Sequence, residues 1–144
     1  MRVLAVDYGE VRTGLAISDY TGTIASPLTV IHEKNFNVLV MKIVEAVKEN
    51  DAGEIVVGNP VNMNGTKGEK SVKCEKLAKN LRESTGVSVS MWDERLTTVS
   101  AHGIMNENNR RGNKRRETID AVAAAIILEG YLAFLKNKTS NSTG

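Results

Sequence analysis

Two rhythms of apolar and polar positions alternate along the chain. Val3 to Val6 is a short apolar run closed by Asp7-Tyr8-Gly9, which predicts a strand running into a turn. Thr13 to Ser18 predicts a second strand, with Gly14 admitting a close backbone approach. Ile24 to Ile31 predicts a third, confined to an edge or bulged because Pro27 cannot donate to a ladder. The separations between the three are short, so an antiparallel meander is expected.

The period then changes. Phe36, Leu39, Val40, Ile43, Val44 and Val47 fall at helical spacing and predict an amphipathic helix of about four turns. Glu54 to Val57 reads as a short strand ending at Gly58-Asn59-Pro60, and the Asn- and Gly-rich stretch from Val61 to Gly68 reads as a loop. Cys74, Leu77, Ala78 and Leu81 mark a second helix that stops before Gly86, and Val87 to Trp92 is the last strand. Thr97 or Thr98 can cap a short helix through about Asn106. Thr118 can cap a helix from Ile119 to about Leu135, apolar on most faces and so expected to be buried. Lys136 to Gly144 reads as a flexible polar tail after a single domain spanning 1–135.

Three antiparallel strands followed by parallel αβ units make an α/β fold: a mixed five-stranded sheet with helices on both faces. Right-handed crossovers put the later strands on the far side of the first, which becomes central. Its carboxyl end, carrying Asp7, then lies where open α/β sheets bind ligands.

Composition narrows the classes. The chain is 41% hydrophobic and 25% charged, an ordinary globular mix. One cysteine, Cys74, excludes an internal disulfide and a multi-cysteine zinc site. No apolar run approaches a membrane span, and Met1 to Asp7 lacks a signal peptide's apolar region. No membrane partner is expected, and the expected compartment is the cytoplasm. The net charge of +2 hides an asymmetry. Arg110, Arg111, Lys114, Arg115 and Arg116 concentrate five of the nineteen basic residues in one acid-free run, leaving 14 bases against 17 acids elsewhere.

Four acids stand at element boundaries. Asp7 ends the first strand, Asp93 and Glu94 end the last, and Asp120 opens the final helix. Singly, each has an ordinary explanation in turn chemistry, a solvated loop or the helix macrodipole. Together, parallel strand addition brings the first and last strand ends to one sheet edge, to which the final helix can deliver Asp120. Crowded carboxylates repel unless a cation neutralises them, and all-oxygen ligation suits Mg²⁺ or Mn²⁺. Two such ions can activate water and stabilise the leaving oxygen of a phosphodiester. His32, read as a loop residue, and His102 are not at these strand ends.

The basic run directly precedes the helix bearing Asp120, so a phosphate backbone held there would lie beside the proposed metals. Arg95, Thr97 and Thr98 could add phosphate contacts. Aromatics are only 4% of the chain, which argues against a binder built on base stacking.

The motifs resemble a known family. Val3-Leu4-Ala5-Val6-Asp7-Tyr8-Gly9 with Arg12-Thr13-Gly14-Leu15-Ala16 is similar to the opening of the YqgF/RuvX family of ribonuclease-H-like nucleases. Val57 to Gly65, Trp92-Asp93-Glu94-Arg95-Leu96-Thr97-Thr98 and Ile119-Asp120-Ala121-Val122-Ala123-Ala124 resemble its later motifs, in order. The resemblance covers about Met1 to Leu135. It implies a ribonuclease H-like fold and a hydrolase processing the 5′ end of precursor 16S ribosomal RNA in the bacterial cytoplasm. It also implies kinship with Holliday-junction resolvases. Carried over by motif, Asp7, Glu94 and Asp120 are the catalytic, metal-binding carboxylates, with Asp93 a neighbour. The pattern departs at Asn59, at Asn64 and at Ala123, where resolvases often carry a second Asp, so the central loop receives no metal ligand.

The expected protein is therefore a metal-dependent nuclease on structured RNA, monomeric or weakly homodimeric, with Arg95 and the 110–116 run on nucleic acid. Three alternatives stand beside it: a Holliday-junction-type DNA resolvase, a non-catalytic RNA-binding assembly factor, and a nucleotide-phosphate site of the actin/sugar-kinase type. The last closes two lobes around its ligand, and a lone lobe lacks the second.

Overall fold

A computed structural model describes residues 1–60, 68–96 and 112–143 of the chain, the side chains of 95, 112–118 and 138–143 lying outside that description. The described elements are β1 (Arg2–Asp7), β2 (Arg12–Ser18), β3 (Ala25–His32), α1 (Phe36–Glu49), β4 (Ala52–Asn59), α2 (Glu69–Thr85), β5 (Ser88–Asp93), a 3₁₀ turn over Glu94–Leu96, and α3 (Gly112–Thr143). The strands form one sheet in the order β3-β2-β1-β4-β5. β1 pairs antiparallel with β2, and β2 with β3, while β4 and β5 add in parallel. β1 is central, as the crossover argument requires.

Each helix has a local cause. The Asn35 side chain accepts the Val38 amide at 3.1 Å and caps α1. α2 stops because Gly86 adopts the left-handed conformation (φ 73°) and returns its amide to Arg82. β3 is an edge strand, and its pairing with β2 slips between Leu15 and Ala16, opposite Thr29 and Pro27. That bulge is what a proline without a ladder donor imposes.

Side-chain alternation along β1 sorts the core into two halves. Leu4, Val6 and Tyr8 pack with α1 and α2, while Val3 and Ala5 pack with α3 through Ala124, Ala125, Ile127, Leu128 and Tyr131. Every residue from Val3 to Val6 is buried.

Three expectations are corrected. α3 begins at Gly112 rather than Ile119, so Lys114, Arg115 and Arg116 lie on helical backbone and not in a loop. The run from Lys114 to Glu117 consists of good helix formers, and the helix propagates through it. It also continues past Leu135 to Thr143, a stretch without proline or glycine until Gly144. His32 is the last residue of β3, in register with Arg12, and not a loop residue. Residues 61–67 of the expected loop from Val61 to Gly68, and the short helix from Thr97 or Thr98 to about Asn106, lie outside the described residues.

Candidate active site

Asp7 occupies the last position of β1, directly opposite Gly14 of β2. On the other side Val6 pairs with Val57, so the next residue of β4 is Gly58, and Gly58 in turn pairs with Trp92. Asp7 therefore stands in a row across the sheet between two glycines, on the face where Trp92 meets α3. Both glycines are filled from above. A Cβ on Gly14 would lie 2.0 Å from the backbone oxygen of Asp120, and one on Gly58 would lie 2.5 Å from Ile127 Cδ1 and 3.3 Å from Glu94 Oε1. The missing side chains thus bring the start of the described α3 packing, and the carboxylate of Glu94, down onto the row that carries Asp7.

The electrostatics record the crowding. Burial, then the charge of Glu94, with a smaller contribution from Asp120, push the Asp7 carboxyl up to about 6, against a partial counterweight from Lys70. Burial likewise raises Glu94, aided by Asp93 and opposed by Lys70. Lys70 lies in the first turn of α2 and is exposed. Cys74, one turn further along α2, is fully buried, and burial drives its thiol up to about 12, so it is not a nucleophile.

Asp120 faces Arg12, whose Nε lies 3.1 Å from its Oδ2. That oxygen is enclosed and accepts no aligned hydrogen bond, so the guanidinium neutralises it without satisfying it. Asp93 follows Trp92 and alternates to the opposite face of β5 from the row of Asp7.

The three predicted carboxylates are thus brought to one sheet edge and coupled through Asp7. They do not form a closed cage in this conformation: among the described residues no group of three or more His, Cys, Asp or Glu stands close enough to hold a metal ion. The donor chemistry, all carboxylate oxygen with one enclosed oxygen lacking a hydrogen bond, fits a hard divalent cation. The fit requires Asp120 to exchange Arg12 for the ion.

Of the expected nucleic-acid contacts, Lys114, Arg115 and Arg116 are placed only by their helical backbone and Arg95 only by the 3₁₀ turn. Arg110, Arg111, Thr97, Thr98 and His102 lie outside the described residues. Arg12 and Lys70 were not assigned from the sequence. Arg12 was visible within the Arg12-Thr13-Gly14 motif, whereas Lys70 had no signal because the apolar pattern of its helix starts only at Cys74.

A family model described as "RuvX: Holliday junction resolvase" matches residues 1–134. A protein of Caldanaerobacter subterraneus subsp. tengcongensis, named "Putative pre-16S rRNA nuclease", is 44% identical over 138 residues, covering 95% of this chain and 99% of its own. A protein of the same name from Ruminiclostridium cellulolyticum is 41% identical over 133 residues, covering 92% and 94%. Among solved structures, Thermus thermophilus RuvC in complex with a Holliday junction substrate superposes with a TM-score of 0.59 at 15% identity, covering 93% of this chain and 96% of that one. The last likeness places the sheet and its helices in the ribonuclease H-like fold.

Proposed function

The chain belongs to the RuvX family, and on that footing we propose that it is a divalent-cation-dependent nuclease that hydrolyses phosphodiester bonds in structured RNA, with precursor 16S ribosomal RNA as its substrate. The observation that carries this reading is the placement of Asp7 at the end of the central strand, between Gly14, whose space the Asp120 backbone fills, and Gly58, over which the Glu94 carboxylate lies. The crowding raises the Asp7 carboxyl to about 6. A buried acid crowded by two others is poorly placed for stability and well placed to receive a cation.

Asp7, Glu94 and Asp120 would hold Mg²⁺ or Mn²⁺, one ion or a pair. Bound there, such an ion neutralises charge on the phosphodiester and makes water a stronger nucleophile. Asp7 fixes the centre of the site, because its strand is immobilised by neighbours on both sides. Glu94 reaches back over Gly58 from the 3₁₀ turn, and Asp120 is delivered through the gap left by Gly14. Arg12 holds the Asp120 carboxylate at 3.1 Å, and were Asp120 to ligate a cation instead, the guanidinium would be free to meet a phosphate.

Lys114, Arg115 and Arg116 sit in the opening turns of α3, where the macrodipole opposes positive charge. A phosphate backbone relieves that opposition, which supports the assignment of this run, with Arg110, Arg111 and Arg95, to nucleic-acid binding.

The test is cleavage of a precursor 16S fragment by purified protein with Mg²⁺ or Mn²⁺, run beside a four-way DNA junction. Asp7→Asn and Glu94→Gln should each lower the rate at least ~100-fold, the scale on which loss of a positioned charged group acts. Wild-type rates in both variants would overturn the assignment. Faster cleavage of the junction than of the RNA would move the substrate to branched DNA.

A further inference from the structure

On the face of the sheet opposite α3, a groove of about 390 Å³ opens between the β1–β2 turn, the start of α1 and the outer side of α2. Lys34, Lys73 and Lys76 line its walls together with Glu10, and Tyr8 and Phe36 supply ring surface within it. Tyr8 follows Asp7 directly but belongs to the opposite face, so the groove and the carboxylates share the end of β1 and not one side of the sheet. The lysines of α2 recur at three-residue intervals: Lys70 acts on Asp7 and Glu94, while Lys73 and Lys76 line the groove. They form a track of positive charge from the carboxylates into it.

This arrangement does little for the fold. Lys73 pairs with Glu10 at 3.0 Å, but both side chains are largely solvated, at 47% and 74% exposure, and such pairs contribute little. Three cations gathered around one acid repel one another. Lys76 lies 5.0 Å above the Phe36 ring, and Tyr8 meets that ring edge-on at 6.4 Å. Phe36 is half-buried against the core, and the lysine over its open face can swing aside for a base. The volume falls near the low end of the ~300–1,000 Å³ range of small-ligand sites, room for one nucleotide and not for a duplex.

We propose that this groove holds a single-stranded segment of RNA flanking the scissile position. Its phosphates lie on Lys34, Lys73 and Lys76, and a base rests against Phe36, which the buried Tyr8 ring backs edge-on. The identity of the ligand rests on the nuclease reading above, whereas the site is separate from the carboxylates and from α3.

The experiment measures binding alone, in chelator, by fluorescence anisotropy. The full chain is titrated against a labelled RNA hairpin with a single-stranded tail and the same hairpin made blunt. Wild type should prefer the tailed hairpin. Lys34→Ala/Lys73→Ala/Lys76→Ala should weaken tailed binding about tenfold and reduce the slope of log affinity against log salt by about 2, at ~0.7 per lost single-strand phosphate contact. Blunt binding should change less than about twofold. Phe36→Leu should weaken tailed binding several-fold at unchanged salt slope, with melting by circular dichroism confirming that both variants fold. No preference for the tail, an equal loss on both hairpins, or no loss on the tailed one overturns the groove. An unchanged affinity in Phe36→Leu overturns the base contact. Since nothing is cleaved, failure here leaves the nuclease reading standing, and an inactive wild type in the cleavage assay leaves the groove standing.

Discussion

Gly14 and Asp120 share one space: the backbone oxygen of Asp120 sits where a side chain on Gly14 would begin, 2.0 Å from an ideal Cβ. The opposing atom is backbone and cannot swing aside. Gly14→Ala should therefore lift the described start of α3 off the sheet, costing about 1–3 kcal/mol by overpacking. Thermal melting reads that cost. Cleavage should fall further than stability does, because the displaced residue is one of the three carboxylates.

Asp7 yields a pH prediction of definite sign. Its folded pKa of about 6 exceeds the ordinary 3.8, so the native state holds the extra proton between those values. Stability from this group is fully present below about pH 4 and is lost as pH rises through about 6, an effect of roughly 3 kcal/mol. Asp7→Asn, which cannot ionise, should melt several degrees higher than wild type near neutral pH, and the difference should vanish near pH ~4. A variant both more stable and inactive is the expected signature; equal melting temperatures at neutral pH would contradict the raised pKa.

Millimolar Mg²⁺ or Mn²⁺ should stabilise wild type by mass action, as read by thermal shift in chelated and metal-loaded buffer. The shift should shrink in Glu94→Gln. Arg12→Gln removes the cation that competes for Asp120. The Arg12 side chain is partly solvated but the Asp120 oxygen it faces is enclosed, so loss of the guanidinium should cost about 1–3 kcal/mol. Divalent affinity by calorimetry should rise severalfold. Unchanged affinity would mean that Asp120 takes no part in cation binding.

Asn59 accepts a hydrogen bond at 2.6 Å from the hydroxyl of Ser71, which is completely buried. The contact ties the end of β4 to the first turn of α2, the turn that carries Lys70. Asn59→Leu should strand that hydroxyl and cost about 1–3 kcal/mol in chemical denaturation. Ser71→Ala in the same chain should recover most of the loss, since neither partner then needs the other.

Much of this molecule was legible in its residues. Strand order followed from short hairpin spacings and the handedness of parallel crossovers, and Pro27 marked the edge strand with its bulge. Gly14 was legible as a close approach, although not as an approach to Asp120, because the meeting residues are 106 positions apart. Helix boundaries were less legible. Thr118 has the chemistry of a cap, yet the helix formers before it let α3 begin at Gly112. The link from Tyr131 to Glu54 and Ser90, which fastens α3 to β4 and β5, left no trace in any local pattern. Convergence of three acids on one edge followed from topology, while the grip of Arg12 on one of them depended on side-chain geometry that spacing does not encode.

β1 has a strand on each side and helices on both faces, and its residues from Val3 to Val6 are sealed from water. Its amides can meet solvent only when the whole sheet comes apart, so they should be the slowest to exchange hydrogen for deuterium. Asp7 is bolted to that slowest segment, while Glu94 hangs from a three-residue turn. Warming should therefore blunt the site through Glu94 while Asp7 is still in place.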